Sequence, residues 1–115
     1  MATAPFVERR QANNVELEGR ILEVRRYRGL PSRKPSLLVV IEHTTEREGR
    51  PTGTPWFWLQ FVGDAVARFE RDFDVGKPIW IRGRLNVGKF ELQEGEPHRR
   101  LTVVVVREMA GERPS

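Results

Sequence analysis

Residues 56–62 read Trp-Phe-Trp-Leu-Gln-Phe-Val. In an extended segment successive side chains point to opposite faces, so Trp56, Trp58 and Gln60 share one side and Phe57, Leu59 and Phe61 the other. The second set is apolar throughout and suits a core. The first sets two indoles beside an amide, and such rings stack on nucleobases with roughly 1–3 kcal/mol per base and little regard for sequence. The competing reading is that both tryptophans fill a core or a subunit interface, as aromatic side chains often do.

A second row points the same way. In residues 79–85, Ile79, Ile81 and Leu85 alternate with Trp80, Arg82 and Arg84. An indole followed by two guanidinium groups on one outward row combines stacking with attraction for phosphate. The alternative is a solvated charged face with the indole packed beneath the arginine stems.

Two basic segments flank these rows. Residues 25–36, RRYRGLPSRKPS, form a predicted loop that carries Arg25, Arg26, Tyr27, Arg28, Arg33 and Lys34 and no acid. A second predicted loop, residues 86–100, carries Lys89, Phe90, His98, Arg99 and Arg100. The net charge of +4 adds to the case for a polyanionic partner, because Lys and Arg that neutralise phosphates release counterions.

Catalytic patterns are poor by comparison. Cysteine is absent, which excludes thiolate nucleophiles, disulfides and thiolate zinc sites. His43 and His98 have no metal-ligand spacing, and Glu42 and His43, adjacent on a strand, face opposite sides. Asp72 and Asp74 read as ordinary charges at a helix end. The stretch Gly49-Arg-Pro-Thr-Gly-Thr lacks the lysine and following helix of a phosphate-cradling loop. A non-enzymatic protein without cofactor or metal is expected.

The elements that must position these residues are short β segments and one helix. Val15, Leu17, Gly19 and Ile21 alternate with Glu16, Glu18 and Arg20, after which Leu22 and Val24 continue out of phase. A glycine ahead of such a phase shift predicts a bend or bulge. Further strands are predicted at Leu37–His43, Trp56–Val62, Ile79–Leu85 and Leu101–Arg107. Between the third and fourth, Asp64 is the expected N-cap of a helix whose Val66, Phe69 and Phe73 recur at helical spacing, closed by Gly76 and Pro78. Residues 46–55 read as a polar turn.

The order β-β-β-α-β-β is that of an all-β, five-stranded OB-fold barrel with one short helix between strands three and four. In such barrels the loops after strands one and four commonly frame a ligand groove, which is where both basic segments fall. The 115 residues accommodate one domain, at 13–109, between tails at 1–12 and 110–115 expected to be flexible. Strand five is apolar on both faces, Leu101, Val103 and Val105 against Thr102, Val104 and Val106. A second subunit is the expected cover, making a homo-oligomer. No secretion signal or membrane-length apolar run is present, so a cytoplasmic location is expected.

Three segments resemble the bacterial single-stranded DNA-binding (SSB) superfamily over about residues 14–107. They are Val15-Glu-Leu-Glu-Gly-Arg-Ile, Trp56 through Gly63 into Asp64-Ala-Val-Ala, and Val75-Gly-Lys-Pro-Ile-Trp-Ile-Arg-Gly-Arg-Leu. The resemblance implies base stacking by Trp56 and by Phe90, the latter in the loop after strand four. The barrel is followed only by Gly111-Glu-Arg-Pro-Ser, without a flexible linker and acidic tip, and Val40-Ile-Glu-His-Thr-Thr is similar to a segment of PriB-type members. The resemblance therefore implies a barrel-only, PriB-like primosomal protein, a homodimer or homotetramer, that binds single-stranded DNA in replication or replication restart, with a primosomal helicase as partner. Alternatives are an SSB-like role in recombination, repair or plasmid maintenance, an RNA-binding module, or an OB barrel that binds protein.

Overall fold

The computed structural model describes residues 12–26, 36–93 and 95–115. The strands are β1 (Val15–Arg26), β2 (Ser36–Glu42), β3 (Thr45–Arg47), β4 (Arg50–Gly53), β5 (Trp56–Val62), β6 (Pro78–Phe90) and β7 (Arg99–Ala110). The helix α1 (Asp64–Asp72) lies between β5 and β6. Five strands close a barrel in the order β1-β2-β5-β7-β6, while β3 and β4 form a separate hairpin within the segment expected to be a polar turn. Among the described residues no helix is long and apolar enough to cross a membrane.

The long first strand serves both halves of the barrel. Its first half pairs with β6, from Val15 opposite Gly83 to Arg20 opposite Pro78, and its second half pairs with β2. The register slips between Ile21 and Glu23, where the sequence phase shift predicts it. At the slip, the Ile21 amide donates to the Lys77 carbonyl at 3.0 Å and its carbonyl accepts from the Gly76 amide at 2.8 Å. The chain after the helix thus ties down the bend. Gly19 sits against this corner: a Cβ there would collide with the carbonyl oxygen of Glu42, so only glycine lets β1 and β2 cross so closely.

The barrel interior is built by alternation. Ile21, Leu37, Val39, Ile41, Leu59, Phe61, Ile79, Ile81, Val104, Val106 and Met109 converge inside. The helix closes one end with Val66 and Phe69, and the Phe69 ring lies 4.7 Å from that of Phe61. Phe57 and Phe73 pack partly buried against the same core. Helix initiation differs from the sequence reading: the N-cap is Gly63, at φ 64°, and Asp64 is the first helical residue with no side-chain cap bond. The turn into the helix needs a positive φ, which glycine adopts freely, and Asp64 acts through its negative charge in the first turn.

The larger departure concerns the last two strands. They run well past the barrel as one antiparallel hairpin, paired from Trp80 opposite Ala110 to Phe90 opposite Arg99, with one slip between Arg82 and Gly83. Residues 86–90 and 99–100 are therefore strand, and the connecting loop is only 91–98. Where the hairpin leaves the barrel, the inward row loses its cover, and Leu85 and Val87, expected or patterned as apolar, stand 47% and 48% exposed. The opposite row folds onto the outside of the barrel. Phe90 meets Leu38 and Val103 there, with Trp58, Leu92, Leu101 and Val105 packed around them. The outer apolar face of β7 is thus covered in part by the chain's own hairpin arm, with Leu101 and Val105 left partly exposed.

Candidate nucleic-acid interface

A groove of about 510 Å³ crosses the outside of the barrel, lined by Leu22, Glu23 and Arg25 of β1, Val40 of β2, Trp56 and Trp58 of β5, and Leu92 and Arg99 of the arm. Strand alternation puts each side chain there. Trp56, Trp58 and Val40 lie on the outward faces of β5 and β2, opposite the residues that fill the core, and Val40 is the register partner of Trp58.

The two platform tryptophans differ in exposure. Trp56 is 70% exposed, the most open of the large apolar side chains among the described residues. A side chain that forgoes so much apolar burial is free to stack on a flat ligand. Trp58 is half-buried, with part of its ring packed against the Leu38–Phe90–Val103 cluster and the rest facing the groove. Gln60 is half-buried further along the row, opposite Leu38 and Val105.

The cations divide by the same geometry. Arg25 reaches the groove wall, while Arg26, its neighbour on β1, donates from Nη2 to Glu70 Oε2 of the helix at 2.9 Å. Two adjacent strand residues face opposite ways, so of this pair one serves the groove. Arg99 also lines the groove, and Lys89 and Arg100 lie exposed as register partners on the arm. Tyr27, Arg28, Arg33 and Lys34 lie outside the described residues.

Three expectations are corrected. Trp80 lies on the outward row but is only 3% exposed. Its Nε1 donates to Glu16 Oε1 at 2.9 Å and the Arg82 guanidinium covers its ring at 5.2 Å. It is a covered packing residue with no open ring face for a base. Arg82 is itself committed: Nη1 lies 3.3 Å from Glu108 Oε2 and Nη2 3.9 Å from Glu16 Oε2. Two flanking carboxylates neutralise it, leaving little attraction for phosphate. Arg84, two residues on, is half-buried opposite Val105. Phe90 is the third correction: expected as an exposed stacking ring in a loop, it is the last residue of β6 and 4% exposed beneath the arm.

Sequence reasoning missed four groove residues, Leu22, Glu23, Val40 and Leu92. Leu92 follows β6 in the 91–98 loop, and nothing in its spacing marks it. Glu23 shares its parity with inward-facing Ile21, and only the bulge turns it out.

The Single-strand binding protein family model matches residues 12–110. Among solved structures, the dimeric N-terminal domain of the PriB protein from Thermoanaerobacter tencongensis aligns at 17% identity with a TM-score of 0.59, covering 85% of this chain and 93% of that one. The small single-stranded DNA-binding protein from Streptomyces coelicolor aligns at 18% identity with a TM-score of 0.60, covering 84% of this chain and 91% of that one. No curated protein matches the chain. With the family model spanning nearly the whole barrel and two structures of the same architecture, the chain belongs to the single-strand binding protein family, as a barrel of the OB fold.

Proposed function

We propose that this protein binds single-stranded DNA without enzymatic chemistry and with little sequence dependence, in the groove between β1, β5 and the β6–β7 arm. The observation that carries the reading is Trp56, an indole left 70% exposed in a groove that also presents Trp58, Arg25 and Arg99. Arg99 attracts the backbone and releases its counterions, while Arg25 is already paired to Glu23, and the indoles then stack bases. The family membership supports the same ligand.

Titration with oligo(dT) at low salt, followed by tryptophan fluorescence, tests it. Trp80 is covered and supplies a constant background, so quenching reports on Trp56 and Trp58. Trp56→Ala should weaken binding about 5- to 150-fold, the range that corresponds to one stacked base. No quenching by the wild type would refute single-strand binding. Unchanged affinity in Trp56→Ala would refute this groove.

The biological role we propose is PriB-like: a dimer acting in replication restart beside a primosomal helicase. The dimeric PriB domain among the structural relatives supports this reading. Light scattering should then give twice the 13.4 kDa of one chain, and a monomer would count against it.

A further inference from the structure

Among the described residues the groove holds one acid. Glu23 stands on its wall beside Leu22 and Arg25, facing Trp56 and Trp58. A carboxylate there pairs with Arg25 and opposes the attraction that Arg99 exerts on a polyanion. Its placement is built into the fold. Ile21 points into the core, so two residues on an unbroken strand would send residue 23 inward as well; the register slip between Ile21 and Glu23 turns it out into the groove and lets Val24 take the inward position. The same slip brings Leu22 to the groove wall.

The carboxylate is also oriented. Its Oε1 accepts from Arg25 Nε at 2.8 Å. Among the described residues no second partner takes Oε2. That oxygen is an acceptor at the edge of the stacking platform. A base stacked on an indole turns its edge, not its face, towards the groove wall. Cytosine presents an N4 amino donor at the place where thymine presents the O4 acceptor, so the same carboxylate attracts one and repels the other.

We propose that Glu23 is a specificity-determining residue that biases the groove towards bases with an exocyclic amine, cytosine over thymine among the pyrimidines. This rests on the single-strand reading above. Oligo(dC) and oligo(dT) of equal length are the probes, because the two pyrimidines stack similarly and differ at this edge; a pH of about 8 keeps oligo(dC) single-stranded. The wild type should bind oligo(dC) about fivefold more tightly, less than the full worth of one hydrogen bond to a charged acceptor because Arg25 already shares this carboxylate. In Glu23→Ala the ratio should fall to about one, chiefly because oligo(dC) loses its hydrogen bond and binds less tightly. Circular dichroism checks the fold of the variant; if alanine disturbs the bulge, Glu23→Gln, which keeps the shape without the charge, should lower the ratio in the same direction. Equal wild-type affinities overturn the proposal, as does a Glu23→Ala variant that tightens both ligands alike, which would make Glu23 only a phosphate repellent. A wild type that binds neither oligomer overturns the single-strand reading itself.

Discussion

Phe90→Ala separates packing from ligand contact at the residue where resemblance and geometry part. The side chain is 4% exposed and packs with Leu38 and Val103 under the hairpin arm. A buried phenylalanine removes about 200 Å² from water, and at about 25 cal/mol per Å² that sets an upper bound near 5 kcal/mol. The cluster lies outside the barrel, and the arm can settle inward to close part of the gap, which puts the expected loss near 3 kcal/mol, the lower end for Phe→Ala. For a domain of this size that lowers the thermal midpoint by roughly 10 °C. The assay is urea or thermal unfolding followed by circular dichroism, alongside oligo(dT) titration well below the midpoint. The expected pattern is a large drop in stability with a smaller effect on affinity, arising from loosened Trp58. A variant with the wild-type midpoint and lost DNA binding would refute the packed arm and restore Phe90 as a stacking ring.

Arg99→Ala should reduce the slope of log affinity against log salt by about 0.7, the loss of one phosphate contact on a single strand, whereas Arg82→Ala should leave it unchanged because Glu16 and Glu108 already neutralise that guanidinium. Trp80→Phe removes the hydrogen bond to Glu16 and should destabilise by about 1–3 kcal/mol in urea without altering affinity for oligo(dT). Gly83→Ala would drive a Cβ into the carbonyl oxygen of Val105, a backbone atom that cannot rotate away, so a loss of roughly 3 kcal/mol or more is expected on unfolding. Asp72 is held below the usual carboxylate range by its hydrogen bond to Arg71. Its contribution is therefore present above the unfolded value and lost as pH falls through the folded one; the pair is fully exposed, so Asp72→Asn should barely change the acid limb of a pH–stability curve.

Much of the fold is readable from residue periodicity because burial is enforced position by position. Leu59 and Phe61 alternate with Trp58 and Gln60, and the register of β5 follows, since a slip of one residue would put the indoles in the core. The bend of β1 shows as a phase shift after Gly19 for the same reason. Trp56 was legible too: its outward face follows from alternation, and its exposure needs only that no later element covers it. Alternation tells inward from outward and stops there. It places Trp80 and Trp56 on equivalent outward rows, yet Glu16 and Arg82 cover one and nothing among the described residues covers the other to that degree.

The composition and spacing of the chain therefore determined a basic OB barrel with an aromatic strand three, because local polarity and two-residue periodicity are properties of neighbours in sequence. Which aromatics stay open was decided by contacts between residues far apart in the chain. The β6–β7 hairpin overshoots the barrel and folds its arm back, burying Phe90 against Leu38 and walling the groove with Leu92 and Arg99. The single slip at Ile21/Glu23, pinned by Gly76 and Lys77, decides whether an acid sits in the core or beside the indoles. Covering a face depends on what packs across the barrel, and contacts at that distance leave no periodic trace in the sequence.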